Sequence, residues 1–240
     1  MSKHIKKELL IIIPARGGSI EIKNKNLLIV NNNKPLIYYS YKAAHFIKDK
    51  SKFITCSTDS NKIARACRKF GLNEIIIRPK KYSHKFSRDI EFVNHTLKGY
   101  YKNNLIFKYG LILRPTSPIR KKETLQKAYE LFKKKTKFSS MRAIIKSPIS
   151  PYKMWRKENH SLNPIIKTQL KEPYNMPRQK LPIIFWQTGN FEFFKINYNN
   201  KINSISGKKI MGFSISEAES TDIDKISDLE NLKFLIKKFF

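Results

Sequence analysis

Along the first 145 residues, short apolar runs alternate with segments whose apolar positions recur at helical spacing. Residues 9–13, Leu9-Leu10-Ile11-Ile12-Ile13, are apolar without a break, which predicts a strand buried on both faces rather than one half exposed. Residues 35–47 open on Pro35 and offer Leu36, Ile37, Ala43, Ala44 and Ile47 to one helical face. A strand follows at 53–57, then a helix running to Phe70, capped by Asp59 or Ser60 and stopped by Gly71. The same punctuation predicts strands at 74–77, 109–113 (ending at Pro115) and 141–145, with helices at 89–101 and 122–134. Strands resume at 183–187, 190–196 and 210–215. A last helix at 225–238 gathers Ile226, Leu229, Leu232, Leu235 and Phe239 on one stripe. Strands separated by helices imply right-handed crossovers and an α/β fold, its mostly parallel sheet covered on both faces. Ligands of such sheets sit at the carboxyl ends of the strands.

The pattern breaks between residues 147 and 182, which hold six of the eleven prolines. A stretch of that length is long for a plain loop, so a single domain spanning 1–240 with 147–182 as an inserted arm is expected. The 49 Lys and Arg against 18 Asp and Glu leave a net charge of +31. That charge is not a tail: residues 1–120 carry 25 of the basic residues and 121–240 carry 24. Spread evenly, it makes a diffuse field that attracts nucleotides and phosphates without implying a dedicated nucleic-acid partner. No apolar run approaches the roughly 18 residues of a membrane span, and the start of the chain lacks a signal-peptide core, so the expected compartment is the cytoplasm. Two cysteines, Cys56 and Cys67, fall in adjacent elements and argue against a disulfide framework or a thiolate zinc site.

Two segments carry the chemistry. After the first strand comes Pro14-Ala15-Arg16-Gly17-Gly18-Ser19, followed by Lys25-Asn26. The glycines let the backbone expose its N–H groups, and Arg16, Ser19 and Lys25 add charge and a hydroxyl, the parts of a phosphate cradle. Neither the Walker A pattern nor G-x-G-x-x-G is present, and a Gly-Gly pair after a strand also serves as an ordinary turn. Near the other end lies Asp222-Ile223-Asp224. In extended backbone, residues two apart face the same way, so both carboxylates can meet one divalent cation; helix capping by Asp224 is the plainer alternative. In a chain this poor in acids, an Asp-x-Asp pair beside a basic loop makes sense as a magnesium and phosphate site. Arg114-Pro115-Thr116-Ser117-Pro118-Ile119-Arg120 ends one strand with guanidiniums and hydroxyls suited to a polar or anionic substrate. Arg78-Pro79 ends another. No nucleophile for covalent catalysis stands out.

Taken in order, Pro14-Ala15-Arg16-Gly17-Gly18-Ser19 with Lys25-Asn26, Ser57-Thr58-Asp59, Arg78-Pro79, Pro115-Thr116-Ser117-Pro118 with Arg120, Pro177-Arg178-Gln179 with Leu181-Pro182, and Asp222-Ile223-Asp224 resemble the acylneuraminate cytidylyltransferases, the CMP-sialic acid synthetase family. The resemblance implies a Rossmann-like nucleotidyltransferase fold with an extended dimerisation arm, CTP and a nonulosonic acid as substrates, Mg²⁺, and a homodimer whose arm reaches the neighbouring subunit. It further implies that Ala15, Arg16, Gly17, Gly18, Ser19 and Lys25 hold the triphosphate. By the same resemblance Asn26 and Arg78 would contact the cytosine, Asp89 would belong to the nucleotide side, and Asp222 and Asp224 would bind the metal. Arg16, Lys25, Asp222 and Asp224 would carry the chemical step. The sugar side draws on Arg114, Thr116, Ser117, Gln187 and Thr188, with Arg178 from the arm.

The chain departs from the family pattern at three places. Ile20-Glu21 stand where the loop usually continues Lys-Gly, Arg114 where sialic acid enzymes commonly carry Gln, and Thr188-Gly189-Asn190 where Asn-Gly-Ala is usual. These changes point to a branch using a different nonulosonic acid, and the loss of the loop lysine at Ile20 is expected to limit turnover. Two other readings stay open on the residues alone: an Asp-x-Asp glycosyltransferase-like enzyme, and a catalytically silent basic binding protein.

Overall fold

In the computed structural model of the chain, residues 4–19, 21–31, 33–197 and 199–239 are described. β1 (Ile5–Pro14) opens the chain, and a small hairpin of β2 (Ile29–Asn31) and β3 (Lys34–Pro35) leads into α1 (Leu36–Ala44). The alternation continues through β4 (Phe53–Thr58), α2 (Asn61–Lys69), β5 (Ile75–Ile77), α3 (Asp89–Lys102), β6 (Leu105–Ile112), α4 (Lys122–Lys134) and β7 (Ser140–Lys146). A second hairpin, β8 (Trp155–Glu158) and β9 (Ser161–Pro164), precedes β10 (Phe185–Lys195), β11 (Ile210–Ser214) and α5 (Asp228–Phe239).

Seven strands make one sheet in the order β11-β7-β10-β6-β1-β4-β5. β10 runs antiparallel to both β6 and β7, and the remaining pairs are parallel. The mostly parallel α/β sheet expected from the alternation is therefore present. Leu9 and Ile11 of β1 pack with α4, through Leu125, Ala128, Tyr129 and Phe132, whereas Leu10 and Ile12 pack with α3, through Phe92, Val93 and Leu97. Opposite pointing of successive residues thus explains why the apolar run is continuous: both faces are covered. At the far end of β1, Ile13 and Ala15 join Ile37 of α1 and Ile63 and Cys67 of α2. Cys56 and Cys67 are both free and buried.

Of the boundaries that differ from expectation, three have a plain cause in pairing or capping. β1 starts at Ile5 because its early residues pair with β6 from Leu105 onward. Residues 183–196 were expected to form two strands with a break at Thr188-Gly189; the structure has one strand, β10, whose register against β7 shifts between Gln187 and Glu192. Such a bulge bends the strand without ending it. The last helix begins at Asp228 rather than 225, since the Asp228 carboxylate accepts from the N–H groups of Asp224 and Lys225, at 2.8 and 2.7 Å, and caps the turn.

Residues 147–182, expected as an arm, hold the β8–β9 hairpin, all of whose residues are exposed. Trp155 packs on Tyr174 with ring centroids 4.5 Å apart, and Lys153 Nζ donates to the Tyr174 carbonyl at 2.9 Å. The chain exposes 14473 Å², against roughly 11,000 Å² for a compact chain of its mass.

Antiparallel pairing of β10 with β6 depends on one small residue. Phe194 lies opposite Gly110, and a Cβ at Gly110 would overlap the Phe194 ring. Gly110→Ala is therefore expected to destabilise the fold by about 1–3 kcal/mol through forced repacking, read as a lower denaturation midpoint at unchanged slope.

Candidate active site

Parallel strands bring their carboxyl ends to one edge, and the residues that follow β1, β5 and β6 converge there. Together they frame a cleft of about 560 Å³ lined by Arg16, Ser19, Lys25, Asn26, Arg78, Asp89, Arg114, Thr116 and Asp224, among others. The loop after β1 is tied down from two sides: the Gly17 N–H donates to Asp59 Oδ1 at 2.8 Å, and Asn26 Nδ2 donates to the Arg16 carbonyl at 2.9 Å. Ala15 turns its methyl group into the core and offers the site only its backbone, whose N–H bonds the Ser57 carbonyl at 2.9 Å. Gly18 is exposed. Ile20, whose replacement of a lysine is expected to limit turnover, lies outside the described residues; its neighbour Glu21 lines the cleft.

The two ends of the chain meet at this cleft. Lys25 Nζ donates to the Ile223 carbonyl at 2.7 Å and sits 3.5 Å from Asp224 Oδ1. Ile223 is wholly buried, and its N–H donates to the Thr116 carbonyl at 2.9 Å. With Ile223 turned inward, Asp222 and Asp224 are both exposed, the alternation expected of extended backbone. Asp222 Oδ1 accepts from Ser117 Oγ at 3.3 Å and from the Ile223 N–H at 3.0 Å. Gly189 makes room for this arrangement, because a Cβ there would lie 2.7 Å from Ser117 Oγ and 3.2 Å from Asp222 Oδ2.

Arg78 is buried, stacks over the Phe92 ring at 5.2 Å, and leaves Nε without a hydrogen-bond partner among the described residues. Burial lowers its pKa, and the carboxylates of Asp59 and Asp89 work against that shift. Arg114 forms ion pairs with Asp89 and with Glu192. Arg120 is fully buried and donates to the carbonyls of Asn190, at 2.8 and 2.6 Å, and Arg114, at 2.9 Å, and to Ser40 Oγ at 3.2 Å. Burial pushes its pKa down to about 9, so it stays charged at neutral pH.

Some expected site residues sit elsewhere. Ser117 is buried beneath the wall and bonds Asp222. Thr188 is buried too, its hydroxyl donating to the Ala143 carbonyl at 3.3 Å. Gln187 is exposed on β10, and Arg178 donates to the Ser147 carbonyl at 2.7 Å at a separate recess shared with Trp186 and Thr188. Residues missed at the sequence level include Tyr82, Ser83, His84, Lys85 and Ser87, which line the cleft; the His84 carbonyl accepts from Arg16 at 3.3 Å. Ser83 Oγ is buried with no partner among the described residues. The linker between β5 and α3 carried no motif beyond Arg78-Pro79 to announce this.

A family model described as "Cytidylyltransferase" matches residues 10–238. The chain belongs to this family. It is 30% identical over 222 residues to CMP-N,N'-diacetyllegionaminic acid synthase of Legionella pneumophila, covering 90% of each chain. Pseudaminic acid cytidylyltransferase of Campylobacter jejuni is 29% identical over 231 residues, covering 95% of this chain and 96% of that one. Among solved structures, a CMP:2-keto-3-deoxy-manno-octonic acid synthetase in complex with CTP superposes with a TM-score of 0.65 at 16% identity, over 97% of this chain and all of that one. These relatives bear out the α/β nucleotidyltransferase fold and the family resemblance read from the motifs.

Arg120 holds the segment after β6 against the bend in β10. Arg120→Met, similar in length but unable to donate, is expected to cost about 2–4 kcal/mol by leaving buried carbonyls unpaired. Chemical denaturation of the purified variant measures it; a loss under about 0.5 kcal/mol, the range of ordinary surface changes, would contradict the assignment of Arg120 as a brace.

Proposed function

We propose that this member of the cytidylyltransferase family transfers CMP from CTP to the anomeric hydroxyl of a sialic acid-like nonulosonic acid and releases pyrophosphate. The observation that carries the reading is the contact of Lys25 with Ile223 and Asp224, which sets a cationic glycine loop against the Asp-x-Asp segment, whose Asp224 lines the cleft. The sugar hydroxyl attacks the α-phosphorus in line, and the protein's task is positioning and charge neutralisation. Arg16, Ser19, Lys25 and the backbone of Ala15, Gly17 and Gly18 receive the triphosphate. Asn26 and Arg78 face the base, and Asp89 stands at the edge of the nucleotide site. Arg114 and Thr116 face the sugar. A CTP-consuming reaction belongs in the cytoplasm.

Among the described residues no cluster of three or more His, Cys, Asp and Glu is poised to hold a metal ion. Two exposed carboxylates with oxygen donors suit Mg²⁺, which is commonly bound by one or two carboxylates plus substrate phosphates and water. Asp222 and Asp224 would hold it, and when bound it supplies charge neutralisation at the phosphates. Lys25 then keeps its bond to the Ile223 carbonyl, which fixes the acid-bearing segment, while its charge faces the phosphates.

A homodimer completed by the arm also belongs to this reading. Support comes from the excess exposed area and from Ile149, Ile183, Phe185 and Trp186, each more than half exposed on one stretch of the chain. The glycosyltransferase alternative has no observation in its favour beyond the Asp-x-Asp pair itself.

Pyrophosphate release from CTP and Mg²⁺ with a panel of nonulosonic acids tests the activity. Asp224→Asn is expected to lower kcat on the order of a hundredfold, since a catalytic metal is worth several kcal/mol; unchanged turnover would remove the aspartate pair from the chemistry. Light scattering is expected to give twice the chain mass. Trp186→Asp should shift the protein toward monomer at micromolar concentration, by placing a charge in a desolvated contact, and a wild-type monomer would refute the dimer.

A further inference from the structure

Arg114 belongs to a line of charges that the proposed reaction leaves unexplained. Glu192 lies on β10 between β6 and β7, opposite Ile112 on one side and Arg142 on the other. Its side chain is only 4% exposed, and it forms ion pairs with Arg142 and with Arg114, the latter at 3.3 Å. Arg114 in turn reaches Asp89, whose side chain is 43% exposed and lines the cleft. One guanidinium is thus held by two carboxylates of different character. The buried one has no water to exchange with, and the exposed one stands where an anionic ligand would arrive.

The position of that guanidinium bears on substrate chemistry. The point a Gly189 Cβ would occupy is 3.2 Å from Asp222 Oδ2 and 3.7 Å from Arg114 Cδ, so Arg114 and the proposed metal-binding aspartate flank the same glycine. In a nonulosonic acid the nucleophilic hydroxyl sits on C2 and the carboxylate is C1, its immediate neighbour. A hydroxyl placed at the α-phosphorus therefore brings the carboxylate to the same region of the wall, within reach of a guanidinium that can bind it through paired N–H groups. Such a group selects its ligand only if its plane is fixed beforehand. Glu192, accepting from both NH1 and NH2 of Arg114 at 3.3 Å, fixes it from behind.

Resting on the cytidylyltransferase reading, we propose that Glu192 is a positioning residue that holds Arg114 as the receptor for the sugar's C1 carboxylate. Arg142 secures Glu192 from the opposite side and donates from NH2 to Ser206 Oγ at 2.7 Å. Asp89 is the exchangeable partner that the substrate carboxylate replaces on the cleft side of Arg114. The site accordingly selects 2-keto acid sugars over neutral analogues.

Initial-rate kinetics of Glu192→Gln test this, using CTP with the nonulosonic acid that wild type accepts and with its C1 carboxamide. The expected result is a rise of about tenfold or more in KM for the sugar acid, the size of a lost charge-assisted contact, with the KM for CTP little changed. Preference for acid over amide should fall by a similar factor, and Glu192→Asp should restore part of it. An unmoved sugar KM, an equal rise in both KM values, or undiminished preference for the acid would overturn the proposal. Should Glu192→Gln not fold, because it leaves Arg142 unpaired, the double variant Glu192→Gln/Arg142→Gln carries the same readout without a stranded charge. Wild-type protein that turns over no nonulosonic acid would instead refute the underlying activity, an outcome distinct from wild-type turnover with an unaffected variant.

Discussion

A single buried ammonium holds the cleft together. Lys25 is 8% exposed, and a lysine so placed is costly unless its charge is met. It is met by the Ile223 carbonyl at 2.7 Å and by Asp224 at 3.5 Å. Hydrogen bonds to charged groups contribute about 1.5–3 kcal/mol, which offsets part of the roughly 1–2 kcal/mol per residue that ordering residues 221–224 costs, a segment that belongs to no helix or strand. Ile223 supplies the other restraint by burying its side chain beside Leu36, Tyr39 and Ile119. The acids therefore point outward as a consequence of what lies between them. Because the partners are 198 residues apart, the pairing of loop and acids exists only once the whole sheet has formed.

The overall charge of +31 and the local charge of the cleft are separate matters. Most of the lysines lie on solvated surfaces, where screening acts within about 10 Å at moderate salt. Inside the cleft Arg16, Lys25, Arg78, Lys85 and Arg114 face Glu21, Asp89 and Asp224, an excess of cations in which Lys25, Arg78 and Arg114 are held in place by the protein. Diffuse charge gathers anions toward the protein, and the placed charges decide which anion stays.

Strands buried on both faces were legible because burial leaves its own mark, an apolar run without alternation at 9–13. The cradle and the acid pair were legible for a different reason: glycines after a strand and acids in an acid-poor chain are uncommon where nothing requires them. What stayed hidden depends on neighbours that sequence does not announce. Thr188-Gly189 separates two expected strands, yet pairing with β7 both before it, at Phe185–Gln187, and after it, at Glu192–Phe194, carries the chain through as a bulge. Asp228, an ordinary helical acid by periodicity, becomes the cap because its carboxylate folds back on Asp224 and Lys225. Residues 82–87 carry no motif, and they reach the cleft only because β5 ends beside β4.

Glu192 is the clearest case of such hidden placement, and its energetics bear on its role. In an alternating strand it occupies a core position between Phe191 and Phe193, where an apolar residue would be expected. Desolvating a carboxylate and two guanidiniums costs several kcal/mol per ion before their mutual attraction is counted. Apolar replacements of buried ion pairs are often as stable or more so, so stability alone gives no reason for Arg142, Glu192 and Arg114 to be where they are. What the arrangement provides is direction. A guanidinium anchored from behind by a buried acid presents its remaining N–H groups toward the cleft in one orientation, beside the glycine that also makes room for Asp222. Recognition of a planar anion needs that fixed orientation more than it needs net positive charge, and an apolar wall cannot supply it.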